Sequence, residues 1–204
     1  MTDQKDIRTA GLMKRLKVLK DKVVERREQF EKLMEFVEKE TVYLTAPAST
    51  KYHLNCEQGL LEHSINVAET MLKIKAAIAP EISDESCVIV ALMHDLGKTG
   101  MPGNPLYIKN PPDSKYKNPY YWNGNLTYLS VPVRSLYLVA QRFPLTEEEV
   151  QAIVYHDGQY VEDNRSVATN ETPLTLLLQY ADTWSGFVLE ENFDFLVSSA
   201  SQMV

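Results

Sequence analysis

The sequence predicts an all-α fold that carries one small β-hairpin. Apolar residues recur at helical spacing along most of the 204 residues, and Ser, Thr and Pro stand where helices would begin or end. Asn123-Gly124, between Tyr-Tyr-Trp and Leu-Thr-Tyr, is a strong hairpin signal. Hydrophobic residues make up 44% of the chain and charged residues 24%, which is ordinary for a globular domain.

The N-terminal part predicts one long charged helix, from Leu12 to about Glu40, after a polar stretch over residues 1–11. Its apolar positions fall at helical spacing and should be buried: Leu12, Leu16, Leu19, Val23, Phe30, Leu33, Phe36 and Val37. The outer face is dense in Lys, Arg and Glu, which is typical of a solvated helix face and compatible with a helix-mediated homo-oligomer. We interpret residues 1–40 as a helical arm packed on the core and residues 41–204 as a single globular unit.

Further helices follow in the globular unit. One should run from Gly59 to about residue 79, and the next should begin at Ser83 and bury an apolar run over residues 87–93. A third should run from Pro132 to about residue 143. Thr146 begins the next as an N-cap with Glu149 at the capping-box position, and the last clear helix should start at residues 172–173.

Residues 99–129 are rich in proline and tyrosine and predict a long loop, with the hairpin near residues 118–129. Two interpretations stay open: a lid over a functional site, and a structural cap over the core. Likewise Tyr120, Tyr121 and Trp122 in the hairpin could stack on a nucleobase or pack on the core.

Composition excludes several classes of protein. No apolar run approaches the roughly 18 residues of a membrane span, and the charged N-terminus lacks the apolar core of a secretory signal. Two cysteines, Cys56 and Cys87, make no disulfide framework, so a cytoplasmic location is expected. The net charge of −7 argues against broad electrostatic capture of nucleic acid.

Four side chains on apolar helices are candidate metal ligands. His94 and Asp95 close the most buried helix, where polar groups need partners. His63 and Asp182 lie in apolar surroundings on two other helices. Each signal alone is weak, because a single buried His or Asp is more often structural. Together they supply two imidazoles and two carboxylates, enough for an octahedral metal site with two open positions.

The motifs as a set resemble a known family. They are Thr45-Ala46-Pro47-Ala48-Ser49-Thr50-Lys51-Tyr52-His53, Gly59-Leu60-Leu61-Glu62-His63-Ser64, His94-Asp95-Leu96-Gly97-Lys98, Tyr155-His156-Asp157-Gly158 and Tyr180-Ala181-Asp182. The order His, His-Asp, Asp resembles the HD-domain metal-dependent phosphohydrolases, which are all-α enzymes. More narrowly, it is similar to small HD proteins of bacteria and phages and to the HD domain of 3′-to-5′ exoribonucleases. The resemblance covers about residues 41–190 and is specific for the fold and the metal site, not for the substrate.

One departure from that family is informative. Many relatives carry a histidine before the helix that begins near residue 132, and it helps them to bind a second metal. Val131 stands there in this chain and cannot ligate. A single metal is therefore expected, although His156 leaves a weak second site open.

The resemblance implies a metal-dependent phosphohydrolase that acts through a metal-activated water. The expected ligands of one divalent transition metal (Mn, Fe, Ni, Co or Zn, with Mg also compatible) are His63, His94, Asp95 and Asp182. Asp95 and Lys98 are the expected catalytic residues, and Lys98, Arg134 and His156 the expected contacts to the substrate. The partner would be a nucleotide or another small phosphorylated compound, with no membrane. Two alternatives remain: a 3′-to-5′ exonuclease on single strands, and a non-catalytic nucleotide-binding module.

Overall fold

The computed structural model describes residues 2–115 and 117–190. Over these residues the chain forms seven α-helices and a two-stranded antiparallel sheet. The helices are α1 (Thr2–Lys20), α2 (Arg27–Glu40), α3 (Gly59–Ile78), α4 (Asp84–Met93), α5 (Val131–Ala140), α6 (Glu147–Val154) and α7 (Pro173–Trp184). The strands are β1 (Tyr107–Lys109) and β2 (Tyr120–Trp122). The predicted all-α fold with one small hairpin is confirmed.

Helix α4 lies at the centre of the core. Every residue from Cys87 to Met93 is fully buried, as the uninterrupted apolar run predicts. Ser83 caps its first turn by accepting the backbone N–H groups of Glu85 and Ser86. Helices α3, α6 and α7 pack around α4. The polar residues that follow Met93 therefore emerge inside the protein and not at its surface.

The capping signals of the later helices are confirmed. Thr146 and Glu149 form a capping box at the start of α6, and Thr172 caps α7 with Pro173 in its first turn. None of the described helices has the length and apolar character needed to cross a membrane.

The prediction of one helix over residues 12–40 is wrong, because the chain breaks between α1 and α2. Helix α1 also begins at Thr2, well before Leu12. The break is held by a distant side chain: the Glu85 carboxylate accepts the backbone N–H groups of Val24 and Glu25, each at 2.8 Å. In a continuous helix these groups would bond to the preceding turn. The predicted apolar stripe is nevertheless buried throughout.

Arg26, in the break, joins α4 to α6. Its Nε donates to Glu85 at 2.6 Å, and its two terminal nitrogens donate to Glu149 at 2.8 and 2.6 Å. The Glu149 side chain is fully buried and that of Glu85 is nearly so. Burial raises the pKa of both carboxyls, but the bonds to Arg26 and to backbone N–H groups hold each below its ordinary value.

Helix α1 packs against α3, and its apolar side chains Leu12, Leu16 and Leu19 belong to the same core as α4. The division into an arm (1–40) and a globular unit (41–204) stays a prediction, and residues 191–204 of that unit lie outside the described residues.

The hairpin exists, but its predicted pairing is wrong. Strand β2 pairs backward with β1, with Tyr107 opposite Trp122, and not forward across Asn123-Gly124. Asn123 holds the end of β2 instead: its backbone N–H donates to Leu106 O, and its amide donates to Asn104 and Pro105. Trp122 is 54% exposed and stacks edge-on against Tyr107, so it does not pack in the core.

We expect Arg26→Met to lower the free energy of unfolding at pH 7 by about 3 kcal/mol, because two buried carboxylates lose their cation. The pKa values of Glu85 and Glu149 are lower in the folded protein than in the unfolded chain. The stability that these two carboxylates contribute is therefore fully present above their pKa in the unfolded chain. It is lost as the pH falls through their pKa in the folded protein. The difference between variant and wild type should therefore shrink below about pH 4. Urea unfolding at pH 7 and at pH 3 measures both effects.

The matched control is Arg27→Met. Arg27 also pairs with two acids, Asp21 and Glu31, but its side chain is 52% exposed. This variant should unfold almost like the wild type at both pH values. Equal losses in the two variants would contradict a special role for Arg26.

Candidate metal centre

Glycines at two points allow the elements of the site to approach closely. A Cβ on Gly59, at the start of α3, would lie 2.0 Å from Leu54 O. A Cβ on Gly97, in the 3₁₀ turn Leu96–Thr99 after α4, would lie 2.2 Å from Val131 O. Gly97 also donates its N–H to the buried Ser135 hydroxyl at 2.7 Å. These contacts seat the start of α3 and the end of α4 against their neighbours, with the site between them.

The four predicted ligands come together. His63 Nε2 lies 3.0 Å from Asp182 Oδ1 and 3.6 Å from Asp95 Oδ2. His94 Nε2 lies 3.4 Å from Asp95 Oδ2 and 3.9 Å from Asp182 Oδ1. His63, His94 and Asp95 are almost fully buried, and the Asp182 side chain is 23% exposed. Ligands from three helices thus converge on one point that is open to solvent on the Asp182 side.

The hydrogen bonds of His94 show that this group fits a metal. Its Nδ1 donates to the Ala91 carbonyl at 2.8 Å, which leaves an unprotonated lone pair on Nε2. That Nε2 atom is buried, has no hydrogen-bond partner among the described residues, and faces two carboxylates. A lone pair directed at anions is unfavourable unless a cation lies between them. Imidazole nitrogens and carboxylate oxygens are the donor set of a divalent transition metal.

The electrostatics of the site also favour a cation. Burial raises the pKa of Asp95, but the neighbouring Lys98 ammonium outweighs this and holds it well below its ordinary range. Burial likewise raises the pKa of Asp182, and His63 brings it far down. Burial lowers the pKa of His63, yet its bonds to Asp182 and Glu190 raise it to about 10. The two carboxylates therefore stay ionised and attract positive charge into the centre.

Glu190 positions His63 and was not predicted from the sequence. Its carboxylate accepts from His63 Nδ1 at 2.9 Å and from the Asn66 amide at 2.9 Å, which directs His63 Nε2 toward Asp182. A π-helical turn, Ser185–Leu189, follows α7 and brings Glu190 back to the site. No residue pattern predicts such a turn, although π turns are frequent at functional sites.

His53 extends the centre beyond His63. Its ring lies 4.9 Å from that of His63, and its Nε2 lies 3.8 Å from Glu190 Oε2. Burial lowers its pKa to about 4. The sequence motif included His53 but gave it no role; its place beside the metal ligands is evident only in the fold.

Lys98 lies in the 3₁₀ turn after α4, with Nζ bonded to Asp95 Oδ2. Burial lowers its pKa, but Asp95 and the neighbouring Tyr107 more than offset this and raise it above its ordinary value. Lys98 therefore remains a cation beside the proposed metal ligands.

His156 approaches the second carboxylate oxygen of Asp95, whereas His94 and Lys98 approach the first. Its Nε2 lies 3.6 Å from Asp95 Oδ1, and its Nδ1 bonds to the Ile153 carbonyl at 2.8 Å. His94, Asp95 and His156 thus form a second group that could hold a metal, and a third consists of His53, His63 and Glu190. Val131 is the first residue of α5 and offers no ligand atom. The expectation of a single metal stays a prediction.

Arg134 does not bond directly to the other predicted site residues. Its side chain is buried, with Nη2 donating to Thr127 O at 3.0 Å, while Nε and Nη1 have no partner among the described residues. Burial lowers its pKa, and Tyr107 partly offsets this. Tyr107 also interacts electrostatically with Lys98.

Comparison with known proteins decides the family. The family model of the HD domain matches residues 60–185, well over half of the 204-residue chain. The chain belongs to the HD-domain superfamily of metal-dependent phosphohydrolases. The resemblance seen in the sequence motifs is thereby confirmed, and the match spans α3 to α7, the helices that carry the four candidate ligands.

One curated relative gives a more specific comparison. The HD-domain chain is 31% identical over 119 residues to a dihydroneopterin 2′,3′-cyclic phosphate phosphodiesterase of Methanocaldococcus jannaschii. The match covers 56% of this chain and 43% of the relative, so it spans less than half of that protein's length. No solved structure matches the chain.

Replacing Glu190 by Gln should weaken metal binding by about tenfold, because His63 loses the carboxylate that fixes its tautomer. Competition with a chelating dye measures the affinity. Glu69→Gln is the matched control: Glu69 is a residue of α3, the helix that carries His63, but it pairs with Arg15 at the surface. An unchanged affinity for the metal in Glu190→Gln would contradict a role of Glu190 in positioning His63.

Proposed function

We propose that this HD-domain protein hydrolyses a phosphate ester bond in a nucleotide or a related small phosphorylated substrate. The observation that carries the proposal is the convergence of His63, His94, Asp95 and Asp182 on one point, with the Nε2 lone pair of His94 buried and unpartnered. The relative's name supports a small phosphodiester as the substrate class, because that protein acts on a 2′,3′-cyclic phosphate.

These four residues would hold one divalent transition metal, of which Mn, Fe, Co, Ni and Zn suit the nitrogen and oxygen donors and Mg is also compatible. Such a metal supplies a nucleophilic water at neutral pH and polarises a phosphoryl oxygen. Asp95 has a second role, because its Oδ2 faces His63 and His94 while its Oδ1 faces His156. It therefore links the metal position to the residues that would contact the phosphate.

Lys98 and His156 would bind the non-bridging oxygens of the phosphate. Both flank Asp95, and burial in a site of low dielectric strengthens their interaction with the charge that develops on phosphorus. Arg134 would add a further cation, since two of its guanidinium nitrogens lack a partner. Phosphoryl transfer depends mainly on such positioning and charge stabilisation.

A 3′-to-5′ exonuclease is the second candidate function, and it rests on the motif resemblance. The net charge of −7 does not favour a long polyanionic substrate. A non-catalytic nucleotide-binding module is the third. Cytoplasmic location and a homo-oligomer stay predictions.

The primary test compares wild type with Asp95→Ala. The variant should lose both metal and turnover, because it removes the carboxylate that both His63 and His94 approach. Elemental analysis reports metal after loading with Mn, Ni, Co or Mg. Formation of a phosphomonoester reports hydrolysis of nucleoside 2′,3′-cyclic phosphates, and release of inorganic phosphate reports hydrolysis of mononucleotides. A thermal melt verifies folding.

Two results would contradict the proposal. Turnover by a folded, metal-free Asp95→Ala protein would exclude the metal mechanism. Absence of turnover by metal-loaded wild type with every small substrate would favour a polynucleotide substrate or a binding module. Degradation of single-stranded RNA in the same preparation separates these two.

The Lys98→Met variant should still bind the metal, but its kcat should fall by about 100-fold, because the positive charge that stabilises the phosphate is lost. The control is Lys75→Met. Lys75 is a similarly buried lysine that pairs with Asp84 at 2.7 Å, on α3 and away from the site. It should retain full turnover. Equal activity in the two variants would exclude Lys98 from catalysis.

A further inference from the structure

A cavity of about 700 Å³ opens beside the metal centre. Its walls are the segment 51–56 on one side and Gly186, Phe187 and Glu190 on the other. This volume falls within the range of small-molecule binding sites, roughly 300–1,000 Å³. None of the four proposed metal ligands lines it, so it is a neighbouring space and not the metal position itself.

The cavity is connected to the centre through one side chain. Glu190 and His53 form part of its wall, and Glu190 bonds to His63 Nδ1 at 2.9 Å. The opposite nitrogen of that imidazole, Nε2, faces Asp95 and Asp182. The Glu190 carboxylate and the ring of His63 therefore lie between a ligand in the cavity and the proposed metal position.

The walls offer aromatic surface that the fold itself does not use. Tyr52 is 72% exposed and Phe187 is 64% exposed, although both lie next to a buried polar centre. Lys51 lies over the Tyr52 ring, with Nζ at 5.4 Å from the ring centroid. Rings exposed in this way are suited to stacking on a flat ligand.

The charge of the cavity fits an uncharged ligand group. Lys51 and Glu190 are its two ordinarily charged lining residues, and the Glu190 carboxylate is already bonded to His63 and Asn66. Asn55 adds a polar amide, which donates to the Lys51 carbonyl only at 3.5 Å. A polyphosphate would find one cation here, whereas a heterocycle would find aromatic faces and a few polar groups at the edge.

The segment that forms one wall is held in a defined shape. Leu54 has a left-handed backbone with φ of +44°, which is uncommon outside glycine. Its carbonyl accepts from Ala48 N at 3.1 Å, and the Ser49 hydroxyl both accepts from Tyr52 N and donates to His53 O. Backbone held in such a conformation is frequent at ligand sites.

We propose that this cavity binds the aromatic heterocycle of the substrate, a nucleobase or a ring system of similar shape, against Tyr52 and Phe187. The inference rests on the proposed function, because the phosphate attached to that heterocycle would then extend past His53 and His63 to the metal. Tyr52 and Phe187 would determine specificity and take no part in the chemical step.

The test measures binding and hydrolysis separately, on metal-loaded protein. Binding is followed by calorimetry with adenosine, guanosine, cytidine, uridine and neopterin, which carry no phosphate to hydrolyse, and with ribose as the ligand without a heterocycle. Hydrolysis is followed with bis(p-nitrophenyl) phosphate. At least one heterocyclic probe should bind and ribose should not. Tyr52→Ala and Phe187→Ala should each weaken that binding by about tenfold.

Tyr160→Ala is the matched control, because Tyr160 is an aromatic residue that is 87% exposed and does not line the cavity. It should bind the probe like wild type. No binding by any heterocyclic probe, or a loss in Tyr160→Ala with none in Tyr52→Ala and Phe187→Ala, would overturn the inference.

The two proposals can fail independently. Hydrolysis of bis(p-nitrophenyl) phosphate without binding of any heterocycle would support the proposed function and contradict a role of the cavity in substrate binding. Heterocycle binding that depends on Tyr52 and Phe187, without hydrolysis of any phosphate ester, would support the cavity as a binding site and remove the proposed function.

Discussion

Two carboxylates, one buried and the other partly exposed, set the requirement on which the rest of the structure depends. Asp95 and Asp182 converge from the end of α4 and from α7, and their ionised forms need positive charge nearby. Lys98 supplies part of it from the next turn of chain, and the imidazoles of His63 and His94 direct nitrogen atoms to the same place. The helical core is arranged to hold these groups, since α4 ends at the point where they meet.

Much of this could be predicted because the signals are local. The apolar run over residues 87–93 places α4 in the core, and the His94-Asp95 pair follows directly from it. The capping box of Thr146 and the first-turn Pro173 fix helix starts through contacts within three or four residues. The convergence of His63 and Asp182 on that pair needed the family resemblance as well, because no local pattern relates α3 to α7.

The features that could not be predicted depend on contacts between distant residues. The break after α1 depends on the Glu85 carboxylate, some sixty residues later, which accepts N–H groups that would otherwise continue the helix. The hairpin pairs backward, with Asn123 bonded to residues 104–106, although a turn does begin at Asn123. Glu190 reaches His63 through a π turn, which rotates the residues after it relative to a regular α-helix. The 3.6-residue spacing used to predict helices does not allow for such a turn. In each case a side chain acts on backbone or on a ring far along the sequence.

The chain contains four histidines, and all of them lie in a single row. Neighbouring ring centroids are 4.9 Å apart from His53 to His63, 5.4 Å from His63 to His94 and 4.7 Å from His94 to His156. Every imidazole signal that this protein gives in a magnetic resonance spectrum must therefore come from the centre, with no background from the surface. Isotope labelling of histidine alone would make the whole row visible at once, from the cavity at one end to the second group of candidate ligands at the other.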